Sequence, residues 1–260
     1  MTLLRACLRA FEMQLKLRVA VPISYFQVVA QPLLFGGIAM VLYTSNGNRS
    51  HLAYAVLGGG LIGMWSVTLF NAGYDIQSER WTGTLEEIFG CPTPLAVIVV
   101  GKVASSMILG LMSFLVDLGL AFAIFSDPLP RLDPWPFAIS CLLTLLAFFC
   151  LSLTIAPLFA LSRVSGSLAN GLETPVYLLC GFMFPATLLA GWAQPLSWLL
   201  APTWTIRAMY AAAGQGSGTA DYLGWWAAAL SLSLAYLVVS LILFRAVGRR
   251  ARISGQLAIV

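Results

Sequence analysis

Apolar runs long enough to cross a membrane alternate with short polar stretches along most of the chain. The runs are continuously apolar, so they predict helices and not the residue-by-residue alternation of a membrane β-barrel. A helix crosses the hydrocarbon core with about 20 residues. On that measure six spans are predicted, near 22–43, 52–74, 95–125, 135–161, 172–189 and 222–244. The third is long enough to project beyond the bilayer.

Two regions do not fit a span. Residues 1–20 place Leu4, Leu8, Phe11 and Leu15 on one helical face and Arg5, Arg9, Glu12 and Lys16 on another. That pattern predicts an amphipathic helix lying in the membrane interface, and its charge is unlike a cleavable signal. Residues 190–221 are mostly apolar, with Trp192, Trp198, Trp204 and Tyr210 punctuated by Pro195 and Pro202. Each apolar piece there is too short to span, which predicts one or two re-entrant or interfacial helices on the external face.

Composition agrees with the pattern. Of 260 residues, 60% are hydrophobic and only 9% charged, against about a quarter charged in soluble domains. The mean hydropathy is +0.89. Most of the surface therefore faces lipid, and the chain is read as one all-α transmembrane domain over residues 1–260. The net charge of +4 does not point to nucleic acid, because the basic residues cluster at the ends of apolar segments. With both termini inside, eleven of the 14 lysines and arginines fall on the cytoplasmic side and three outside: Arg49, Arg131 and Arg207. The positive-inside rule then puts both termini in the cytoplasm.

Few residues offer chemistry. The five cysteines show no paired spacing, and His51 is the single histidine, which argues against disulfides and a histidine metal site. The run Gly58-Gly59-Gly60 with Gly63 lies inside an apolar span and reads as close helix packing. No G-x-x-x-x-G-K-[ST] run exists, so the chain holds no phosphate-cradling loop. No catalytic constellation is visible either, and the chain is not read as an enzyme. Asp117 and Glu173 are ionisable groups within predicted spans, functional candidates by default. Phe182 and Phe184, beside Gly181, form a candidate apolar constriction or core. Pro157, Pro175 and Pro185 are expected to bend or break their helices.

The polar stretch 75–94 is the most informative. Physically it reads as a short helix with Thr84 as N-cap, Glu86 and Glu87 near its positive end, and Pro92 and Pro94 ending it. A solvated turn explains it as well. Glu79-Arg80, then Gly83-Thr84-Leu85-Glu86, then Pro92 and the pair Gly101-Lys102, resemble the cytoplasmic loop of ABC-2 type permeases, the membrane subunits of a class of ATP-binding-cassette exporters. Pro202, Arg207 and Tyr210 resemble the external hairpin of that family. The length and loop pattern look closest to daunorubicin-resistance-type and nodulation-factor-export-type permeases.

The resemblance implies that residues 75–94 are a coupling loop docked on a separate ATPase, with Glu79, Arg80, Gly83, Thr84, Leu85 and Glu86 as its contact region. It also implies that ATP and Mg are bound by that partner, in two copies. The permease itself would form a homodimer, or a heterodimer with a related permease, in a bacterial-type inner membrane. Read from the residues and not from the resemblance, Asp117, Glu173, Phe182 and Phe184 are the candidates for a transport path, with an interfacial ion pair or hydrogen-bonded gate as the structural reading of Glu173. An ion-driven secondary transporter and a non-transporting scaffold stand as alternatives.

Overall fold

A computed structural model describes residues 3–20, 25–45, 52–81, 83, 94–124, 129, 132–161, 165–185, 188–215 and 221–254. Among them the secondary structure is helical throughout, in this order: α1 (Leu3–Ala20), a π-helical turn (Phe26–Ala30) leading into α2 (Gln31–Ser45), α3 (Leu52–Trp81), α4 (Leu95–Ile124), α5 (Pro134–Leu161), α6 (Ser165–Cys180), α7 (Gln194–Leu199), α8 (Ala201–Ala212) and α9 (Tyr222–Ser254). Three helical stretches are long and apolar enough to cross a membrane: Ala96–Ile124, Pro134–Phe159 and Tyr222–Arg249. Val28–Val41 and Ala53–Leu69 are shorter apolar helical stretches.

The centre of the fold is α3. Every side chain from 53 to 69 is buried, because α2, α4, α5 and α6 all pack around it. Three consecutive glycines make that crowding possible. A Cβ on Gly58 would strike the Phe182 carbonyl, one on Gly59 would meet Gly36 Cα, and one on Gly60 would lie 2.7 Å from the Phe114 ring. One short run thus admits neighbours on three sides, as small residues do in membrane helices. Around it sit Trp65, Phe114, Phe148, Phe159, Phe182 and Met209, all fully buried.

Hydrogen bonds stitch the second layer. Ser240 donates to the Leu153 carbonyl at 3.0 Å, Thr154 to that of Tyr236 at 3.0 Å, and the Trp226 indole to Ser140 at 3.0 Å, joining α5 to α9. The outer faces of α4, α5 and α9 expose Leu115, Phe122, Leu142, Leu234 and Ile242, an apolar surface suited to lipid.

The helix ends depart from the sequence expectation in three places. The first is α3, which does not stop at residue 74 but continues through Trp81. Residues 75–81 are thus a helical extension of the span; the acidic groups there, Asp75 and Glu79, are paired with basic partners from α1 and α4, which removes the reason to leave the helix. Secondly, α6 begins at Ser165 and ends at Cys180, not over 172–189. Gly181 takes φ 68° and turns the chain, a conformation that only glycine adopts without strain, so Phe182 and Phe184 lie outside the helix. Pro157 and Pro175 lie within helices that run through them, and Pro185 falls beyond the end of α6. Thirdly, α9 runs past residue 244 to Ser254.

The two short helices expected in 190–221 are present as α7 and α8. Both start with proline in the first turn, where its missing N–H costs nothing. The second of them is largely buried; its alanines and threonines let it settle against α5 and α9. The Asp133 amide donates to the Ala212 carbonyl at 2.8 Å and helps to satisfy its C-terminal end. Asp221 accepts from the Gly224 amide at 3.0 Å and caps α9.

Candidate functional site

The chemistry-bearing side chains gather at three levels along α3. Towards its C-terminal end α3 meets α1 and α4 in a charged joint. Arg18 of α1 forms an ion pair with Asp75, and its guanidinium also donates to the Asn71 carbonyl at 3.4 Å. Both side chains are more than nine-tenths buried. One turn on, Glu79 pairs with Lys102 of α4. Burial pushes the Asp75 carboxyl above the usual carboxylate range, while the Arg18 and Lys102 charges pull against it. Gly101 permits this assembly, since a Cβ there would lie 3.0 Å from Ala10 Cβ and 3.1 Å from the Phe11 amide of α1.

The packing face of α1 is therefore not the one its apolar pattern suggests. Gln14 and Arg18 are its buried residues, whereas Leu4 and Leu8 are exposed and free to meet lipid. Glu12 lies on the exposed side with Lys16 at 2.7 Å and Arg9 at 3.6 Å. The Lys16 hydrogen bond and charge hold its carboxyl below the usual glutamate range.

Just beyond the joint, Arg80 lies on the last turn of α3 and Gly83 is an exposed turn residue at φ 75°. Thr84, Leu85 and Glu86 lie outside the described residues. Of the six positions proposed for the coupling region, the structure thus places Glu79, Arg80 and Gly83 together at one end of α3. Glu79 faces Lys102 within the chain.

At mid-height, Ser66 of α3 donates a hydrogen bond to Glu173 of α6. Near the other end, Asp117 of α4 is fully buried against Gly36 of α2 and Gly59 of α3. The candidate path residues are therefore split. Asp117 lies where α2, α3 and α4 meet, and Glu173 where α3 and α6 meet. Phe182 is fully buried in a chain of aromatic rings: Trp65 to Phe148 at 5.3 Å, Phe148 to Phe182 at 5.7 Å, and Tyr177 to Phe182 at 6.3 Å. Phe184 is half-buried on the same turn. Tyr210 of α8 locks that turn, donating its hydroxyl to the Phe182 carbonyl and stacking on Tyr54 at 4.4 Å. Arg207, one turn earlier on α8, stacks over Trp225 at 5.0 Å.

Sequence reading did not single out Arg18, Asp75 or Ser66 as site residues. For Arg18 the available signal was a base on the side of α1 opposite the charged face. Among the described residues, no group of His, Cys, Asp and Glu is placed to hold a metal ion.

A bundle of long apolar helices around a glycine-notched central helix is the architecture of an α-helical membrane protein. The family model for the ABC-2 type transporter matches residues 5–213, four-fifths of the chain, so the chain belongs to the ABC-2 type transporter family. It is accordingly an ABC-type permease subunit, of a family that normally works with an ATP-binding-cassette ATPase. No curated protein matches the sequence.

Proposed function

We propose that this chain is the transmembrane subunit of an ATP-binding-cassette exporter that moves an amphiphilic substrate, such as a drug, an antibiotic or a lipid-linked glycan, out of the cytoplasm or inner leaflet. A separate ATPase in two copies binds ATP and Mg and supplies the energy. Six spans cross the inner membrane with both termini cytoplasmic, α6 supplying the fifth. The observation that carries the reading is the continuity of α3. One unbroken helix runs from the glycine notch beside Asp117 and Phe182 to Glu79 and Arg80 of the family-like loop. A push on the loop therefore moves the helix on which Asp117, Glu173 and Phe182 rest. Glu86, in the outer part of the loop, is the residue proposed to pair with a basic group of the ATPase.

A second permease copy is part of the proposal. The exposed side of α6 carries Asn170, Gly171 and Thr174, small and polar side chains that suit another helix better than lipid. Near the turn after α6, the aromatic rings around Phe182 and the buried helix α8 close the proposed exit.

Purification of the tagged chain from its native host in mild detergent tests the reading. A co-purifying ATPase is expected, with turnover weakened or uncoupled by Glu86→Ala. A chain that repeatedly purifies folded and alone would instead favour an ion-driven transporter or a scaffold.

A further inference from the structure

The charged joint at the end of α3 is more elaborate than helix packing requires. Buried ion pairs contribute little net stability compared with apolar packing, and their cost falls heavily on a partner left alone. What they supply is a fixed geometry between the elements they join. Here two pairs fix the same seven-residue extension from two sides. Arg18–Asp75 ties it to α1, and Glu79–Lys102 ties it to α4, four residues further along α3. The Gln14 side chain of α1 is buried as well. Meanwhile α1 lies directly on α4 through the notch at Gly101, next to Lys102. The three helices are thus closed into a triangle with two charged edges and one packed edge.

We propose that Arg18, Asp75, Glu79 and Lys102 are positioning residues that make α1, the end of α3 and the start of α4 move as one body, so that a displacement entering at the loop after Trp81 is delivered to α1 and α4 together. The inference rests on the exporter reading. Without the pairs, α3 pivots at its end, and the displacement is absorbed there as bending or sliding. The exposed contacts on the other side of α1, Arg9 and Lys16 with Glu12, join no second helix and have no part in the joint.

The test has two arms. In detergent, thermal unfolding of the purified chain is followed for Arg18→Ala, Asp75→Ala, the double variant and the exchange Arg18→Asp with Asp75→Arg. The double variant is expected to lose less than the sum of the singles, and the exchange to recover part of the loss. Losses that simply add would overturn the joint. In the complex with its ATPase, spin labels carried by unnatural amino acids at positions 9 and 192 report the distance change between the nucleotide-free and ATP–vanadate states. Arg18→Ala and the milder Lys102→Ala, whose pair is only partly buried, are expected to lose most of that change while ATP is still hydrolysed. The exchanged pair should restore it. If non-additive variants keep the full distance change, the joint only holds the fold and the proposal is wrong. A wild-type complex with no ATP-driven change sinks the exporter reading, and the transmission role with it, whatever the unfolding series gives.

Discussion

Asp117 of α4 fills the space left by the missing side chain of Gly59 on α3: a Cβ at Gly59 would lie 2.7 Å from Asp117 Oδ2. Gly36 of α2 opens the niche from a third helix. Among the described residues neither carboxyl oxygen meets a side-chain donor, and a buried carboxyl so poorly partnered is costly. Asp117→Asn, which keeps the shape, is expected to leave the unfolding temperature in detergent unchanged or higher. Gly59→Ala overfills the niche and should cost about 1–3 kcal/mol. An Asn variant that unfolds early would mean that the acid itself holds the crossing.

Ser66 and Glu173 make the second contact between α3 and a carboxylate. The hydroxyl is fully buried and donates to the glutamate. Hydrogen bonds to charged groups are worth about 1.5–3 kcal/mol, so Ser66→Ala should destabilise by an amount of that order. Ser66→Thr keeps the donor and should recover much of it. Equal losses in both variants would show that packing at Ser66, and not the bond, matters.

Tyr210 and Phe182 join the buried helix α8 to the turn after α6. Tyr210→Phe leaves the buried Phe182 carbonyl without this donor, at a cost of about 1–3 kcal/mol. Cys180, buried directly before the turn, offers a local probe. Its alkylation by a maleimide in the folded protein is expected to be faster in Tyr210→Phe than in the wild type. Unchanged labelling would show that the turn holds without the bond.

How much of this was legible in the sequence depends on which force decided each element. Apolar runs are set by the membrane, so α4, α5 and α9 begin within a residue of their predicted starts, and the proline-started pair α7 and α8 falls inside the region expected for it. The triple glycine was readable as packing because no other role suits it in an apolar run. Elements decided by partners were not readable. Nothing local shows that residues 75–81 stay helical, because their charges are matched by Arg18 and Lys102 from elsewhere in the chain. The end of α6 depends on one positive φ at Gly181 inside an apolar run, which hydropathy does not register. On α1 the hydrophobic face pointed to lipid, and the packing face was carried by Gln14 and Arg18, polar residues that a periodicity count assigns to water.

That contrast yields a last prediction, from two basic residues only two positions apart on α1. Lys16 is exposed and bonds to the exposed Glu12 within its own helix; Arg18 is buried and bonds to Asp75 of another helix. An exposed pair gains little, because water screens it and two long side chains must be held still. Lys16→Ala should therefore leave thermal stability near the wild-type value, whereas Arg18→Ala strands a buried carboxylate and should cost about 3–5 kcal/mol. The pH dependence separates them further. The Glu12 carboxyl is lowered first by the Lys16 hydrogen bond, so whatever that pair adds is present above the ordinary glutamate range. It is lost as pH falls through the lowered Glu12 value. Carboxyl NMR of Glu12 should move back toward the ordinary range in Lys16→Ala, with Arg9 still holding it down in part, and the small difference in unfolding between that variant and wild type should vanish in acid. Were Lys16→Ala as damaging as Arg18→Ala, the charged face of α1 would have to be in contact with protein, and the burial assigned to its two sides would be reversed.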